Sequence, residues 1–291
     1  MKYGRANLDW STSTWDSVDQ AVHDEVVRVE IARRFLPIYL TTSDAKTVPA
    51  DTVDTDDPTT LTVDEGAKIT IFEIWVGFAL TQQQVSMDED MSTATTLAMR
   101  AANIVGGAKD TLIFKGHRAL DEFLFTSGRV GHRNGSFGDG LLDLADETIE
   151  VPLADGSPDS YGENTFAKVA EGYAKLQDKG QYGPYAIVFH TIPFAKAYEP
   201  LKTTLITPAD AIKGLVTEWF YGSGTLDPFT GLLISLGGNT VDLAIGQDAI
   251  TANMQVDIRG LSQFRVYTRF ALRPKDPRAF IKFQFEEPKR H

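Results

Sequence analysis

The sequence is marked first by what it lacks. Its 291 residues include no cysteine, so disulfides and thiolate metal sites are both excluded. No apolar run approaches the roughly 20 residues of a membrane-spanning helix, and the start, MKYGRANLDW, has no apolar core of signal-peptide length. We therefore expect a soluble protein without a membrane partner, made and used in a cytoplasm.

Basic residues are also scarce relative to acidic ones. The chain has 28 Lys and Arg against 40 Asp and Glu, which gives a formal net charge of -12. Nucleic-acid affinity comes from Lys and Arg on phosphates, so this balance argues against a general nucleic-acid binder. A locally basic face remains compatible with it.

The short motifs of common enzyme chemistry are missing as well. There is no Walker phosphate loop, no G-x-S-x-G elbow and no H-E-x-x-H. The glycine-rich stretch GSFGDG at 135–140 follows no buried strand, so it predicts a turn rather than a dinucleotide site. None of the five histidines pairs at metal-ligand spacing. We predict no catalytic, cofactor-binding or metal-binding residues and a protein that is not an enzyme, and a soluble enzyme is the least favoured hypothesis.

What the sequence does have is a mixture of helical and strand patterns. Apolar residues at helical spacing predict helices at 12–34, 90–110 and 164–179, with shorter ones near 192–200 and 208–216. β-Branched and aromatic runs predict strands at 68–84 and 184–190, and the chain ends in a β-rich part. This combination favours the α+β class.

The region from 41 to 84 is unusual for a compact domain. Its first part, 41–66, is rich in Thr, Asp and Pro and is too long for a simple turn. With the strand that follows, it predicts an extended arm that a domain of this size cannot bury. Phe72, Ile74, Trp75 and Phe78 would then leave apolar surface exposed, so we predict that they contact a neighbouring subunit.

Near the C-terminus, SQFRVYTRFALRP alternates strictly between apolar and other residues. The alternation places Arg265, Arg269 and Arg273 on one face of a strand. Such a row suits phosphate or a partner's carboxylates, but on an acidic chain it predicts ion pairs, either within the chain or between subunits.

Several longer stretches carry a family resemblance. GPYAIVFHT and FAKAYEPL, then LAIGQDAITANMQ, then FRVYTRFALRPKDPRAFIKFQF resemble the encapsulin (linocin-type) shell proteins in order and spacing. Arg33, Arg34 and Phe35 resemble the exit of their N-terminal helix, and DTLIFKG at 110–116 with GLLD from Gly140 resembles later elements. The resemblance covers most of the chain, and its most specific landmarks are Gly183–Tyr185 and Gly246–Asp248.

The resemblance implies the tailed-phage major-capsid fold of the Hong Kong phage type. We then expect an N-terminal helix region at 1–40 and an extended arm, or E-loop, at 41–84. A peripheral domain is expected at 85–182 with a spine helix at 90–115, followed by an axial domain at 183–262. The strands at 263–291 are expected to return to the peripheral domain.

For function, the resemblance implies a structural subunit that self-assembles into an icosahedral shell. Two departures from cellular encapsulins favour the major capsid protein of a tailed virus: no Gly-Pro-x-Gly turn follows Phe35, and the region 117–162 is longer. Such a protein encloses double-stranded DNA in a virion. The alternative is a cytoplasmic encapsulin nanocompartment that encloses an enzyme cargo.

Both hypotheses imply the same kinds of partner. We expect many copies of the chain in one shell, with a packaged genome or a cargo protein inside, and a decoration or scaffolding protein is a further candidate. In the encapsulin family the cargo docks near the N-terminal helix, here 12–36. Trp15, Val22 and Leu36 are the candidate cargo-facing residues, with core packing as their alternative role.

Overall fold

The computed structural model describes residues 4–54, 60, 62–64, 66–87, 92–133, 135–201, 205–216 and 219–288. Its helices are α1 (Thr12–Val29), α2 (Gln82–Ser86), α3 (Thr93–Lys115), α4 (Phe123–Thr126), α5 (Asn164–Asp178), α6 (Thr191–Ala197) and α7 (Pro208–Val216). Its strands are β1 (Ile38–Leu40), β2 (Thr47–Pro49), β3 (Thr52–Asp54), β4 (Thr62–Asp64), β5 (Lys68–Thr70), β6 (Phe72–Leu80), β7 (Gly131–Arg133), β8 (Glu147–Val151), β9 (Tyr185–His190), β10 (Phe220–Ser223), β11 (Thr230–Ser235), β12 (Val241–Val256), β13 (Ser262–Pro274) and β14 (Phe280–Phe285). The mixture of helices and sheets confirms the α+β class.

The first of two five-stranded sheets has the strand order β1-β12-β13-β6-β7. Neighbouring strands are antiparallel except for β1, which runs parallel to β12. The long strand β13 occupies the centre and is buried along almost its whole length. Burial on both sides means that other segments must cover both faces of this sheet.

Helices α1 and α3 cover one of these faces. Ser11 caps α1 by accepting a hydrogen bond from the Thr14 N–H at 3.1 Å. The inward face of α1 is a fully buried valine stripe that includes Val22 and Val26, and each such side chain contributes roughly 1.5 kcal/mol or more through burial. The facing stripe of α3 is mostly alanine, and a Cβ on its Gly106 would lie 3.3 Å from the Val29 side chain. Small residues on α3 therefore permit the close approach of the two helices.

The second sheet has the order β10-β9-β11-β14-β8. Its core contains Ile187 and Phe189 of β9, Phe283 of β14, Leu176 of α5 and Ile212 of α7. Helices α5 and α7 thus bury their apolar faces on this sheet, as amphipathic helices in an α+β fold do.

The boundaries of the two sheets do not coincide with the boundaries of the predicted segments. Strand β12 lies within the predicted axial segment 183–262 but pairs with β13 in the first sheet. The expected return strands at 263–291 include β13 in the first sheet and β14, which lies between β11 and β8 in the second sheet. Long-range strand pairing sets these memberships, and sequence order alone does not reveal it.

The extended arm predicted at 41–84 is shorter in the structure. Its first part forms two small antiparallel ladders, β2 with β5 and β3 with β4. Residues 72–80, in contrast, form β6, which pairs with β13 over nine positions from Phe72 to Leu80. Because one side of β6 is apolar and covers the core, that part of the segment is a sheet strand rather than an arm.

Helix α3 runs from Thr93 to Lys115, close to the predicted spine helix at 90–115. Helix α1 ends at Val29, five residues before the predicted end at residue 34, and a short 3-10 turn, Ala32–Arg34, follows it. Among the described residues, no helix is long and apolar enough to cross a membrane.

Candidate assembly surfaces

The arginine row of β13 faces the base of the 41–70 segment. Arg269 donates through Nη2 to the Ala45 carbonyl at 2.7 Å and through Nη1 to the Ser43 carbonyl. Arg273 donates to the Pro49 carbonyl at 3.1 Å and to the Asp51 carboxylate at 2.8 Å. The two side chains therefore fix the chain from 43 to 51 against the sheet.

Arg273 lies at the centre of a buried ion-pair cluster. Its guanidinium donates two hydrogen bonds to Asp242, at 2.7 and 2.6 Å, while Lys275 lies 2.8 Å from the same carboxylate. Burial by itself would lower the pKa of Arg273, but the hydrogen bonds and charge of Asp242 outweigh it, so the pKa is raised. The Tyr39 ring covers the guanidinium at 4.0 Å.

The other two arginines share one carboxylate. Glu73 of β6 lies 3.3 Å from Arg265 Nη1 and 3.7 Å from Arg269 Nε. In this structure the row Arg265, Arg269 and Arg273 thus forms ion pairs within the chain, which is one of the two predicted arrangements. Glu73, Asp242 and Asp51 were not predicted, because they are far away in sequence.

The predicted inter-subunit residues fall into two groups. Phe72 and Ile74 are fully buried in the chain's own core, so the expectation that they leave surface for a neighbour is wrong. Alternation along β6 turns both toward the helices. Trp75 and Phe78 are half-buried, and a Cβ on Gly131 would meet the Trp75 ring at 2.4 Å. Both can still contribute to a contact, and their role there remains a prediction.

The predicted cargo-facing residues are not available at the surface. Val22 and Leu36 belong to the main core, and Trp15 packs against Trp10 with ring centroids 4.7 Å apart. The Arg5 guanidinium covers Trp15 at 4.4 Å. The alternative role, core packing, describes all three. Trp15 and Val22 lie on the apolar stripe of α1, which faces the protein interior, and Leu36 is buried beyond the 3-10 turn that follows the helix.

A buried polar junction that the sequence reasoning missed follows α1. Asp110 of α3 accepts hydrogen bonds from the Ile31 and Ala32 N–H groups at 2.6 and 3.2 Å. Lys109 lies 3.0 Å from Glu30, and both side chains are fully buried. Burial, and then the charge of Glu30, raises the pKa of Asp110 to about 7, against the opposing effect of the two N–H groups and Lys109. The only signal in the sequence was a Lys-Asp pair inside an otherwise small and apolar stretch.

Two of the stretches that carry the family resemblance, Arg33–Phe35 and Gly246–Asp248, contact each other close to this junction. Arg33 donates two hydrogen bonds to Asp248, both at 2.7 Å, and His23 lies 3.5 Å from the same carboxylate. Burial alone would raise the pKa of Asp248, but the hydrogen bonds and charge of Arg33 outweigh it and hold the pKa below its ordinary value. The motif residues therefore join the end of α1 to an irregular part of β12.

Metal-binding and catalytic side chains were not expected from the sequence, and the structure was searched for them. Within the described ranges, no cluster of three or more His, Asp or Glu side chains could hold a metal ion. His190 caps α6 weakly, through the Ile192 N–H at 3.4 Å. Its pKa is lowered, mainly by burial and then by the charge of Lys115.

Comparison with known proteins bears on this arrangement. A family model described as "Encapsulating protein for peroxidase" matches residues 136–267. The type 1 encapsulin shell protein EncA of Myxococcus xanthus is 26% identical over an alignment 290 residues long, which covers 95% of this chain and 94% of that protein. Both matches are to shell-forming proteins.

Solved structures agree on the fold. The virus-like particle from Pyrococcus furiosus superposes with a TM-score of 0.65 at 13% identity, covering 94% of this chain and all of that one. The capsid of Myoviridae phage XM1 gives 0.56 at 13% identity, covering 86% and 90%. The chain thus has the fold shared by encapsulins and tailed-phage capsids. Within that class, its resemblance to the encapsulin shell proteins is confirmed.

The preference for a viral capsid protein is wrong. The phage capsids share the fold alone, whereas the sequence matches lead to encapsulin shell proteins along almost the whole chain. The missing Gly-Pro-x-Gly turn and the longer region at 117–162 misled the prediction, because insertions and changes in surface loops are tolerated within one family. The expectation of a packaged viral genome rested on that preference and has no support from these matches.

Proposed function

We propose that this chain is the shell subunit of a cellular encapsulin compartment that encloses a cargo protein in the cytoplasm. The observation that carries the proposal is the match to the Myxococcus shell protein over 95% of the chain. The bond between Arg33 and Asp248 supports it, because it gives two of the family landmarks a common structural role. The role is structural and not catalytic.

In this proposal the two sheets have different tasks. The first sheet, together with α1 and α3, serves as the peripheral domain and forms most of the shell wall that each subunit contributes. The second sheet serves as the axial domain, near the symmetry axes. Arg269 and Arg273 hold the segment 43–51 against the first sheet, and the ladder of β3 and β4 beyond it is proposed to contact a neighbouring copy.

Electron microscopy of the protein expressed alone tests the proposal. We expect uniform closed shells, because repeated contacts between identical subunits close on themselves when their geometry is fixed. The ratio of absorbance at 260 and 280 nm should be that of protein without nucleic acid. A monodisperse monomer would overturn the proposal.

A loop replacement tests the arm separately. The Ala50 N–H donates to the Ala67 carbonyl at 3.0 Å, so the chain is already closed at this point. Replacing residues 52–65 by a short glycine linker should leave a folded subunit that forms no closed shells. Normal particles from this variant would refute the arm assignment and leave the shell assignment standing.

A further inference from the structure

The junction between α1 and α3 encloses three ionisable side chains that are all fully buried. Glu30 follows the last residue of α1, and Lys109 and Asp110 lie on α3. Lys109 Nζ lies 3.0 Å from Glu30 Oε2. Asp110 instead accepts hydrogen bonds from the Ile31 and Ala32 N–H groups. Its carboxyl group therefore has no ion-pair partner among the described residues.

The charges around Asp110 balance one another only when Asp110 carries a proton. The end of α1 supplies Glu30 and α3 supplies Lys109, and these two side chains pair. Next to them Arg33, in the turn after α1, pairs with Asp248 of β12 through two hydrogen bonds at 2.7 Å. Two cations therefore face two carboxylates. An ionised Asp110 adds a negative charge that neither cation is left to neutralise.

The other groups packed around this junction do not supply the missing charge. His23 of α1 lies 3.5 Å from Asp248, but 45% of its side chain is exposed, so water already solvates it. Strands β6 and β13 face α3 with uncharged side chains, and the Phe270 ring centroid lies 5.4 Å from Lys109 Nζ. Glu30 Oε1 is buried and has no hydrogen-bond partner among the described residues. The junction thus already lacks one donor, and a further anion there would lack another.

We propose that this junction is a pH-dependent latch for the segment from Glu30 to Leu36. When Asp110 is protonated the latch is closed, and the segment packs on α3. When Asp110 is ionised the latch opens, because the segment moves away from α3 and water hydrates the carboxylate. The segment leads into β1 and then to the base of the arm at 43–51, so the latch sets how firmly this part of the chain is attached. The inference concerns the subunit itself and does not rest on the proposed shell function.

Local opening follows from the cost of keeping an unpaired charge in the protein interior. Burial, and then the charge of Glu30, raises the pKa of Asp110 to about 7 while the latch is closed. In the open state water surrounds the carboxyl group, and its pKa returns toward the ordinary value of 3.8. The open population should therefore rise about tenfold per pH unit between about pH 5 and 7 and become constant above about pH 8.

Hydrogen–deuterium exchange read by mass spectrometry tests the proposal on the purified full-length protein. After correction for the intrinsic pH dependence of exchange, the peptide that covers Glu30–Leu36 should follow this rise and then level off. Strand β9, Tyr185–His190, is the internal reference, because it lies in the core of the second sheet. It should remain protected while the segment exchanges. Equal exchange of the two peptides would mean that the whole subunit unfolds, and would refute a local latch.

Two variants separate the role of Asp110 from a general effect of charge. Asp110→Asn cannot ionise, so the corrected exchange of the segment should not change with pH. Asp178→Asn makes the same chemical change at an exposed position at the end of α5, and it should keep the wild-type profile. Glu30→Gln removes the charge that opposes ionisation and leaves Lys109 free to pair with the Asp110 carboxylate. Its exchange should therefore stop rising at a lower pH than in the wild type.

Three results would overturn the inference. One is a wild-type segment whose corrected exchange does not depend on pH, and another is an unchanged rise in Asp110→Asn. The third is a Glu30→Gln profile that levels off at the wild-type pH. This last measurement still decides the matter if Asp110→Asn does not fold, because Glu30→Gln leaves Asp110 and its hydrogen bonds to Ile31 and Ala32 in place.

Discussion

The two faces of β13 are buried by different physics. Val266, Phe270 and Leu272 lie on the face covered by the helices, where apolar packing dominates. On the other face Arg269 and Arg273 are 8% and 2% exposed, and hydrogen bonds to carboxylates and carbonyls compensate their desolvation. The comparison shows that an alternating pattern places residues on a face but does not say whether that face meets water.

The apolar face should give the largest single effect. Phe270→Ala leaves a cavity beside Phe137, whose ring centroid lies 5.6 Å away, and should lower the free energy of unfolding by about 4 kcal/mol. Chemical denaturation followed by tryptophan fluorescence measures it. Phe123→Ala is the control, because Phe123 is 83% exposed and its loss should change little. Equal effects of the two substitutions would contradict the assignment of Phe270 to the core.

The charged face should come next. Arg273→Met removes the bidentate partner of Asp242 and leaves it with Lys275 alone, so we expect a loss of about 3 kcal/mol in unfolding free energy. The same denaturation experiment applies. Arg278→Met is the matched control, since Arg278 is 44% exposed and pairs with Asp276 at the surface, and its loss should stay below about 1 kcal/mol. If Arg273→Met were no worse than Arg278→Met, the buried cluster would not stabilise this face.

The arginines of β13 show which structural features can be predicted from the sequence and which cannot. Alternation correctly puts Arg265, Arg269 and Arg273 on one side, since strand geometry is local. Their partners Glu73 and Asp242 come from other strands of the same sheet, and pairing register, a property of the whole fold, brings them together. The helical pattern at 12–34 likewise gives α1 with Trp15 and Val22 on its apolar stripe, whereas the burial of Leu36 depends on how the chain packs beyond the helix.

The residues that carry the family resemblance were found by pattern alone, without a physical reason for their presence. Arg33 and Asp248 belong to stretches that carry the family resemblance, and in the structure they form a half-buried, bidentate ion pair. Asp110 lies in the matching stretch DTLIFKG, but its contact with the N–H groups after α1 depends on how two helices pack.

The polar junction between α1 and α3 should give a pH-dependent effect of intermediate size. Burial, and then the charge of Glu30, raises the pKa of Asp110 from 3.8 to about 7 in the folded chain, although Lys109 opposes the shift. The folded state therefore holds this proton more tightly than the unfolded state. The resulting stability is full below about pH 4 and is lost as the pH rises through 7.

Asp110→Asn tests this effect, because it removes the titration. Between pH 5.5 and 7 the wild type should lose about 2 kcal/mol more of its unfolding free energy than the variant does. Parallel curves of melting temperature against pH for the two proteins would contradict the shifted pKa. An offset that is the same at every pH would report only the altered hydrogen bonds to Ile31 and Ala32.

A half-exposed ion-pair cluster between β8 and the C-terminal end of α5 should give the smallest effect, and it can be compared directly with Arg273. Glu147 lies 2.7 Å from Lys175 and 2.6 Å from Lys179, and these hydrogen bonds, that of Lys175 first, lower its pKa to about 2. Its stabilising contribution is present above its ordinary pKa of 4.5 and is lost as the pH falls toward 2.

Solvent screens this cluster, so Glu147→Gln should reduce the unfolding free energy by less than about 1 kcal/mol at neutral pH. In about 1 M salt the difference from wild type should nearly vanish, because the screening length falls to about 3 Å. The loss caused by Arg273→Met should persist in the same salt, since that pair is buried. Denaturation of both variants at low and high salt makes the comparison, and equal salt sensitivity would mean that water reaches the charged face of β13.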